Sequence, residues 1–196
     1  PHYFPAFFEL PDDSIVSGEA DIAVATLATP IFDISYPALW QGQNILIPNA
    51  THITAVGFGQ DEKNVSGVKR TGTLRYKELA PGVKNLGGEK LALTHDVFLK
   101  TMPGPTDQLV CPGDSGGPAL VAGYVVGIVS YGTSEADKPL TCLSAAAAYY
   151  TSTRAYGSWI RTQIDALDPQ PTRLYLATPT NPTAGKCTAL AVTTVD

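Results

Sequence analysis

The stretch Cys111-Pro112-Gly113-Asp114-Ser115-Gly116-Gly117-Pro118 constrains this chain more than any other. Gly113 and Gly116 free the backbone for a tight turn that side chains would obstruct. Pro118 then leads into the apolar run Ala119-Leu120-Val121. Such a turn pushes the Ser115 hydroxyl outward. It also lets the N–H groups of Gly113 and Ser115 point at one place, where they would form an oxyanion hole for the charge on a carbonyl under nucleophilic attack. Read blandly, the same residues are a glycine turn with an incidental serine. The full octet is far more specific than a lone Gly-x-Ser-x-Gly.

A length of 196 residues suits one domain with its own hydrophobic core. Charged residues make up only 16%, while Gly (18) and Pro (16) are frequent, which suits an all-β domain with many turns. A net charge of −5 argues against a nucleic-acid footprint. No apolar run approaches the length of a membrane span. The three His and three Cys show no metal-ligand spacing, so neither a metal nor a cofactor is expected.

Four further stretches take their meaning together with the octet. Asp21-Ile22-Ala23-Val24 lies upstream, followed by Val56-Gly57-Phe58-Gly59. Gly127-Ile128-Val129-Ser130-Tyr131-Gly132 lies downstream, then Tyr149-Tyr150-Thr151 with Ser158-Trp159-Ile160. In order and spacing they resemble the chymotrypsin/trypsin family of serine peptidases, from residue 1 to about residue 167. The fold this implies is a chymotrypsin-like pair of six-stranded β-barrels with a C-terminal helix, the first barrel being incomplete in this chain. Residues 168–196, rich in Pro and Thr, have no clear family counterpart and read as an extended surface segment, with a strand at Arg173–Leu176 as a second option.

The resemblance assigns roles residue by residue. Ser115 is the nucleophile and Asp21 the buried carboxylate that orients a catalytic imidazole. Asp114 is the partner of an α-ammonium released by activation cleavage. Leu109 stands where the family sets specificity, with Val110 beside it. Ser130, Tyr131 and Gly132 line the pocket mouth, and Ala148 lies at its base. Leu109 in place of an aspartate argues against a preference for Lys or Arg, so an aliphatic or aromatic residue is expected at the cleavage site. Cys111 and Cys142 correspond to a bridged pair, two buried thiols being the alternative, while Cys187 is left over. Leu99 stands where relatives often carry another cysteine.

The departure from the family is the base. The chain order His, Asp, Ser requires a histidine upstream of Asp21, in a Thr-Ala-Ala-His-Cys stretch that does not occur here. His2 resembles a surface His between the catalytic His and Asp of relatives, and His52 and His95 both follow Asp21. A companion N-terminal fragment carrying the His is therefore expected as a partner, besides a peptide or protein substrate. The competing reading is an inactive homologue that acts by binding. Asn49-Ala50-Thr51 and Asn64-Val65-Ser66 fit the N-glycosylation sequon, and with the resemblance they favour a secreted, extracellular glycoprotein.

Pattern along the chain adds expectations about elements. Strands are expected over Ile22–Leu27, Thr51–Gly57, Thr71–Tyr76 and Phe98–Thr101, and Pro118–Val121 should form a hairpin with Tyr124–Tyr131 through Ala122-Gly123. Residues 28–50 read as the inter-barrel crossover, and Trp40 as packing. Residues 80–96 read as a loop because of Pro81-Gly82 and Gly87-Gly88, and residues 133–148 as a long loop. Tyr156, Trp159, Ile160, Ile164 and Leu167 recur at three-to-four spacing, which predicts an amphipathic helix over 154–167.

Overall fold

The structure is a computed structural model. It describes residues 2–3, 21–27, 31, 34–40, 47–49, 51–86, 89–104, 110–134, 141–142, 144–167 and 190–193; residues 2–3, 82–86, 89–97 and 190–193 are described by their backbone. In chain order the strands are β1 (His2–Tyr3), β2 (Ala23–Thr26), β3 (Ala38–Leu39), β4 (His52–Gly57), β5 (Arg70–Leu86), β6 (Glu89–Met102), β7 (Pro118–Val121), β8 (Tyr124–Ser134) and β9 (Ala145–Ser152). The helix α1 (Gly157–Leu167) and the strand β10 (Leu190–Thr193) follow.

Strands β8, β7, β4, β5, β6 and β9 pair in that order, and β9 returns to β8, so six strands close a barrel with no free edge. Strand β3 is added outside it, parallel to β8, with Ala38 opposite Tyr124. A second, three-stranded sheet has the order β1-β2-β10. The architecture is the all-β, chymotrypsin-like one that the sequence predicts, with one closed barrel and one helix among the described residues.

Alternation explains the barrel locally. In β4, Ile53 and Ala55 are buried while His52 and Thr54 are exposed, the period of two that a half-solvated strand requires. The barrel core gathers Trp40, Ile53, Leu74, Leu99, Val126, Val129 and Tyr150. Trp40 is therefore packing, as expected, and Arg154 stacks over its ring at 5.6 Å. A separate cluster joins Ile22 and Val24 of the β2 segment to Phe98 of β6 and to Tyr156 and Ile160. It fixes β2, and the aspartate that precedes it, against the barrel. Ile22 and Val24 are completely buried, and each contributes about 1.5–3 kcal/mol by leaving water.

Three expectations need correction. Residues 80–96 are not a loop: β5 runs to Leu86, β6 starts at Glu89, and the two pair as far as Leu86 opposite Glu89. The interruptions that suggested a loop are absorbed by register shifts between Ala80 and Pro81 and between Pro81 and Val83. In sequence, Gly-Gly between two strand-like runs is also a hairpin signal, which a breaker reading passes over. Residues 133–148 are likewise strand at both ends, with Thr133 opposite Ala147 and Ser134 opposite Ala145. The third correction concerns the tail, where residues 190–193 form β10 and pair antiparallel with all of β2. The option at Arg173–Leu176 lies outside the described residues, as does Cys187.

The candidate active site

Strand β8 organises the site. Two backbone bonds sew it to the Ser115 turn: Gly116 N–H donates to Val129 O (3.0 Å), and Val129 N–H donates to Gly117 O (2.8 Å). The next residue, Ser130, donates its hydroxyl to Asp21 Oδ2 at 2.7 Å. Consecutive residues of one strand thus hold the turn that carries Ser115 and the carboxylate that the sequence assigns to orienting a base. Asp21 is buried at 8% exposure, and its backbone carbonyl accepts from Thr151 Oγ1 (2.8 Å). A buried carboxylate is costly unless hydrogen-bonded, so the Ser130 bond has a structural reason as well.

The turn has the conformation that its glycines predict. Gly113 (φ 86°) and Gly116 (φ 79°) occupy the left-handed region. Within it the amides of Asp114, Gly116 and Gly117 are committed, to Cys111 O, Val129 O and Asp114 O. The amides of Gly113 and Ser115 make no such bond among the described residues. Ser115 itself is half-buried.

Asp114 is bonded into the framework. Its Oδ1 accepts from Gly59 N–H (2.8 Å) and its Oδ2 from Cys111 N–H (2.9 Å). The carboxylate fits only because two residues lack side chains. A Cβ on Gly57 would lie 2.0 Å from Asp114 Oδ1, and one on Gly59 would lie 2.6 Å from it. Beside Asp114 lies a cavity of about 380 Å³, lined among others by Gly57, Arg70, Val110 and the Cys111–Cys142 pair. The disulfide Cys111–Cys142 is present, with its Cα atoms 4.7 Å apart.

The expected pocket residues meet across one ladder: Gly132 pairs with Ala148 and Tyr131 with Tyr149. Ala148 is buried, whereas Gly132 and Ser130 are half-buried. Tyr131 stacks on Tyr149 (ring centroids 4.4 Å apart, 7° between planes), and Phe98 meets Tyr131 edge-on at 5.4 Å. Burial, with a smaller electrostatic effect from Tyr149, pushes the Tyr131 phenol up to about 12. Leu109 lies outside the described residues. Val110 is half-buried and lines the Asp114 cavity.

His52 is exposed at the start of β4, opposite Arg75 of β5. His2 and His95 are described by backbone alone, in β1 and β6. Asn49 and Asn64 are both exposed. Two features of the site went unread in the sequence. Gly57 and Gly59 act as the cradle of Asp114, although the Gly-x-Gly spacing was there to suggest a close approach. The aromatic stack of Tyr149 and Phe98 on Tyr131 follows only from the β6–β9–β8 order, which no local pattern encodes.

Among the described residues no helix is long and apolar enough to cross a membrane. Comparison with known proteins agrees with the geometry. The chain is 31% identical over 172 residues to a trypsin of Phaedon cochleariae, covering 84% of this chain and 62% of that protein. It thus spans less than two thirds of the length of that relative. Its fold is similar to that of a double mutant of human heparin-binding protein (CAP37), with a TM-score of 0.50 at 17% identity, over 74% of this chain and 56% of that one. Residues 10–160 match the family described as Trypsin, and the chain belongs to that family of serine-protease domains.

Proposed function

We propose that this chain carries the nucleophile, oxyanion hole and orienting carboxylate of a secreted serine endopeptidase. Ser115 attacks the scissile carbonyl, and the Gly113 and Ser115 amides stabilise the resulting oxyanion. Asp21 orients and stabilises a histidine that takes the Ser115 proton and later gives it to the leaving amine. That histidine comes from outside residues 1–196, since none of the three here precedes Asp21 in the manner of the family. The observation that carries the reading is the double attachment of β8, through Val129 to the Ser115 turn and through Ser130 to Asp21.

Asp114 completes the assignment. Its two oxygens face backbone N–H donors and border a cavity, a setting that suits an α-ammonium arriving after activation cleavage. Leu109 and Ala148 favour an aliphatic or aromatic residue at the cleavage position. Exposed Asn49 and Asn64 are the proposed glycan acceptors.

The test is hydrolysis of amide substrates that differ at the cleavage position, by the full protein and by Ser115→Ala and Asp21→Asn. Asp21→Asn should lower kcat by roughly 10⁴-fold and Ser115→Ala by roughly 10⁶-fold, with apolar substrates preferred over basic ones. A protein that hydrolyses none of them, with a histidine-bearing fragment or companion chain present, leaves the second reading. That reading is a non-catalytic homologue that binds, favoured by Leu109 at the position where the family sets specificity.

A further inference from the structure

The segment between β4 and β5, residues 58–69, is closed by backbone bonds such as Gly67 N–H to Phe58 O (2.7 Å), and an ion pair joins it to the start of β5. Asp61 Oδ1 accepts from the amides of Lys63 and Val65, both at 2.9 Å. Its Oδ2 faces Arg70 Nη2 at 2.8 Å. The other arm of the guanidinium, Nη1, donates to Gly59 O (3.2 Å) and Val68 O (3.3 Å). The peptide between Gly59 and Gln60 is therefore gripped at both ends. Arg70 holds its carbonyl, and its N–H, that of Gln60, donates to Pro112 O of the nucleophile turn (2.9 Å). The adjoining Gly59 N–H is the one that binds Asp114 Oδ1.

We propose that Arg70, oriented by Asp61, is a positioning residue for the nucleophile turn. By fixing the Gly59–Gln60 peptide it holds the two bonds, to Pro112 and to Asp114, that set the turn bearing Ser115. Its effect on activity rests on the reading of Ser115 as nucleophile; its effect on the peptide does not. An arginine suits the task because a planar guanidinium reaches a carboxylate and a carbonyl at once, whereas an ammonium is a single point charge. Gly59 is required for a separate reason, since a Cβ there would also meet Asp114 N at 2.7 Å. The pair is part-exposed, 36% at Arg70 and 19% at Asp61, so its contribution to global stability is small. Local order is where it acts.

Residue-resolved amide exchange on the full protein tests this, with fluorophosphonate labelling of Ser115 measured alongside. In Arg70→Met and in Asp61→Asn the Gly59 and Gln60 amides should exchange about two- to five-fold faster, the ratio that a surface ion pair supports. The double variant should be no faster than either single one. Arg70→Lys should restore part of the protection, and melting temperatures should barely move. Labelling of Ser115 should slow by a similar factor. Glu78→Gln, which breaks the Lys100–Glu78 pair elsewhere on the barrel, should change neither readout. Parent-like exchange of both amides in Arg70→Met, or additive effects in the double variant, would overturn the proposal. A parent protein that refuses the probe while the amides respond as stated would retain the clamp and remove the peptidase reading.

Discussion

Gly59 shows how narrowly the site depends on single atoms. A methyl group there would lie 2.6 Å from Asp114 Oδ1 and 2.7 Å from Asp114 N, closer than side-chain carbon tolerates. Gly59→Ala should therefore destabilise by about 2–3 kcal/mol, as forced overpacking does, and it should also expel the Asp114 carboxylate from its two amide donors. Chemical denaturation reads the first effect and loss of Gly59 amide protection the second. Tyr131 gives a prediction of another kind. Its phenol ionises at about 12 in the fold and near 10 in the unfolded chain. The folded state thus favours the neutral phenol: stability is fully present below pH 10 and falls as the pH rises toward 12. A spectrophotometric titration of Tyr131→Phe should lack one ionisation near pH 12 that the parent shows.

At the scale of elements, legibility followed how local the cause was. The β7–β8 hairpin was readable because two short apolar runs flank the turn dipeptide Ala122-Gly123. Both turn residues have positive φ, 48° and 82°, the geometry that a right-twisted hairpin demands. Ala122 is the residue with a cost there, so Ala122→Gly should stabilise by about 1 kcal/mol, measurable as a higher denaturation midpoint with an unchanged slope. The β5–β6 hairpin was unreadable for the opposite reason. Pro81 and Gly82 are breakers by local rules, but the strand absorbs them at register shifts that only the partner strand reveals. The closing contact of β9 with β8, and β10 beside β2, are also non-local. Neither leaves a mark in a short window of sequence.

Across the whole molecule the site is a product of closure. As candidates, Ser115, Asp114 and Asp21 could be picked out from the octet and the Asp21-Ile22-Ala23-Val24 stretch, because each motif carries its residue within a few positions. What joins them was not. The barrel brings Val129 to Gly116 and Gly117 and sets Ser130 beside Asp21, which lies 109 positions away in sequence. The Asp61–Arg70 clamp was missed because its residues look like an ordinary solvated charged loop until Gly59 is seen to serve Arg70 and Asp114 together. The disulfide between Cys111 and Cys142 spans 31 positions and fastens the start of the Ser115 turn beside the Asp114 cavity. The account's central claim is that this assembled turn presents Ser115 as a nucleophile. The most direct test is mass spectrometry of the full protein after treatment with a fluorophosphonate probe, with the adduct mapped to a residue. One adduct per molecule, located on Ser115 and abolished in Asp21→Asn, is the result the account predicts. A folded protein that stays unlabelled when a histidine-bearing segment is present would contradict it.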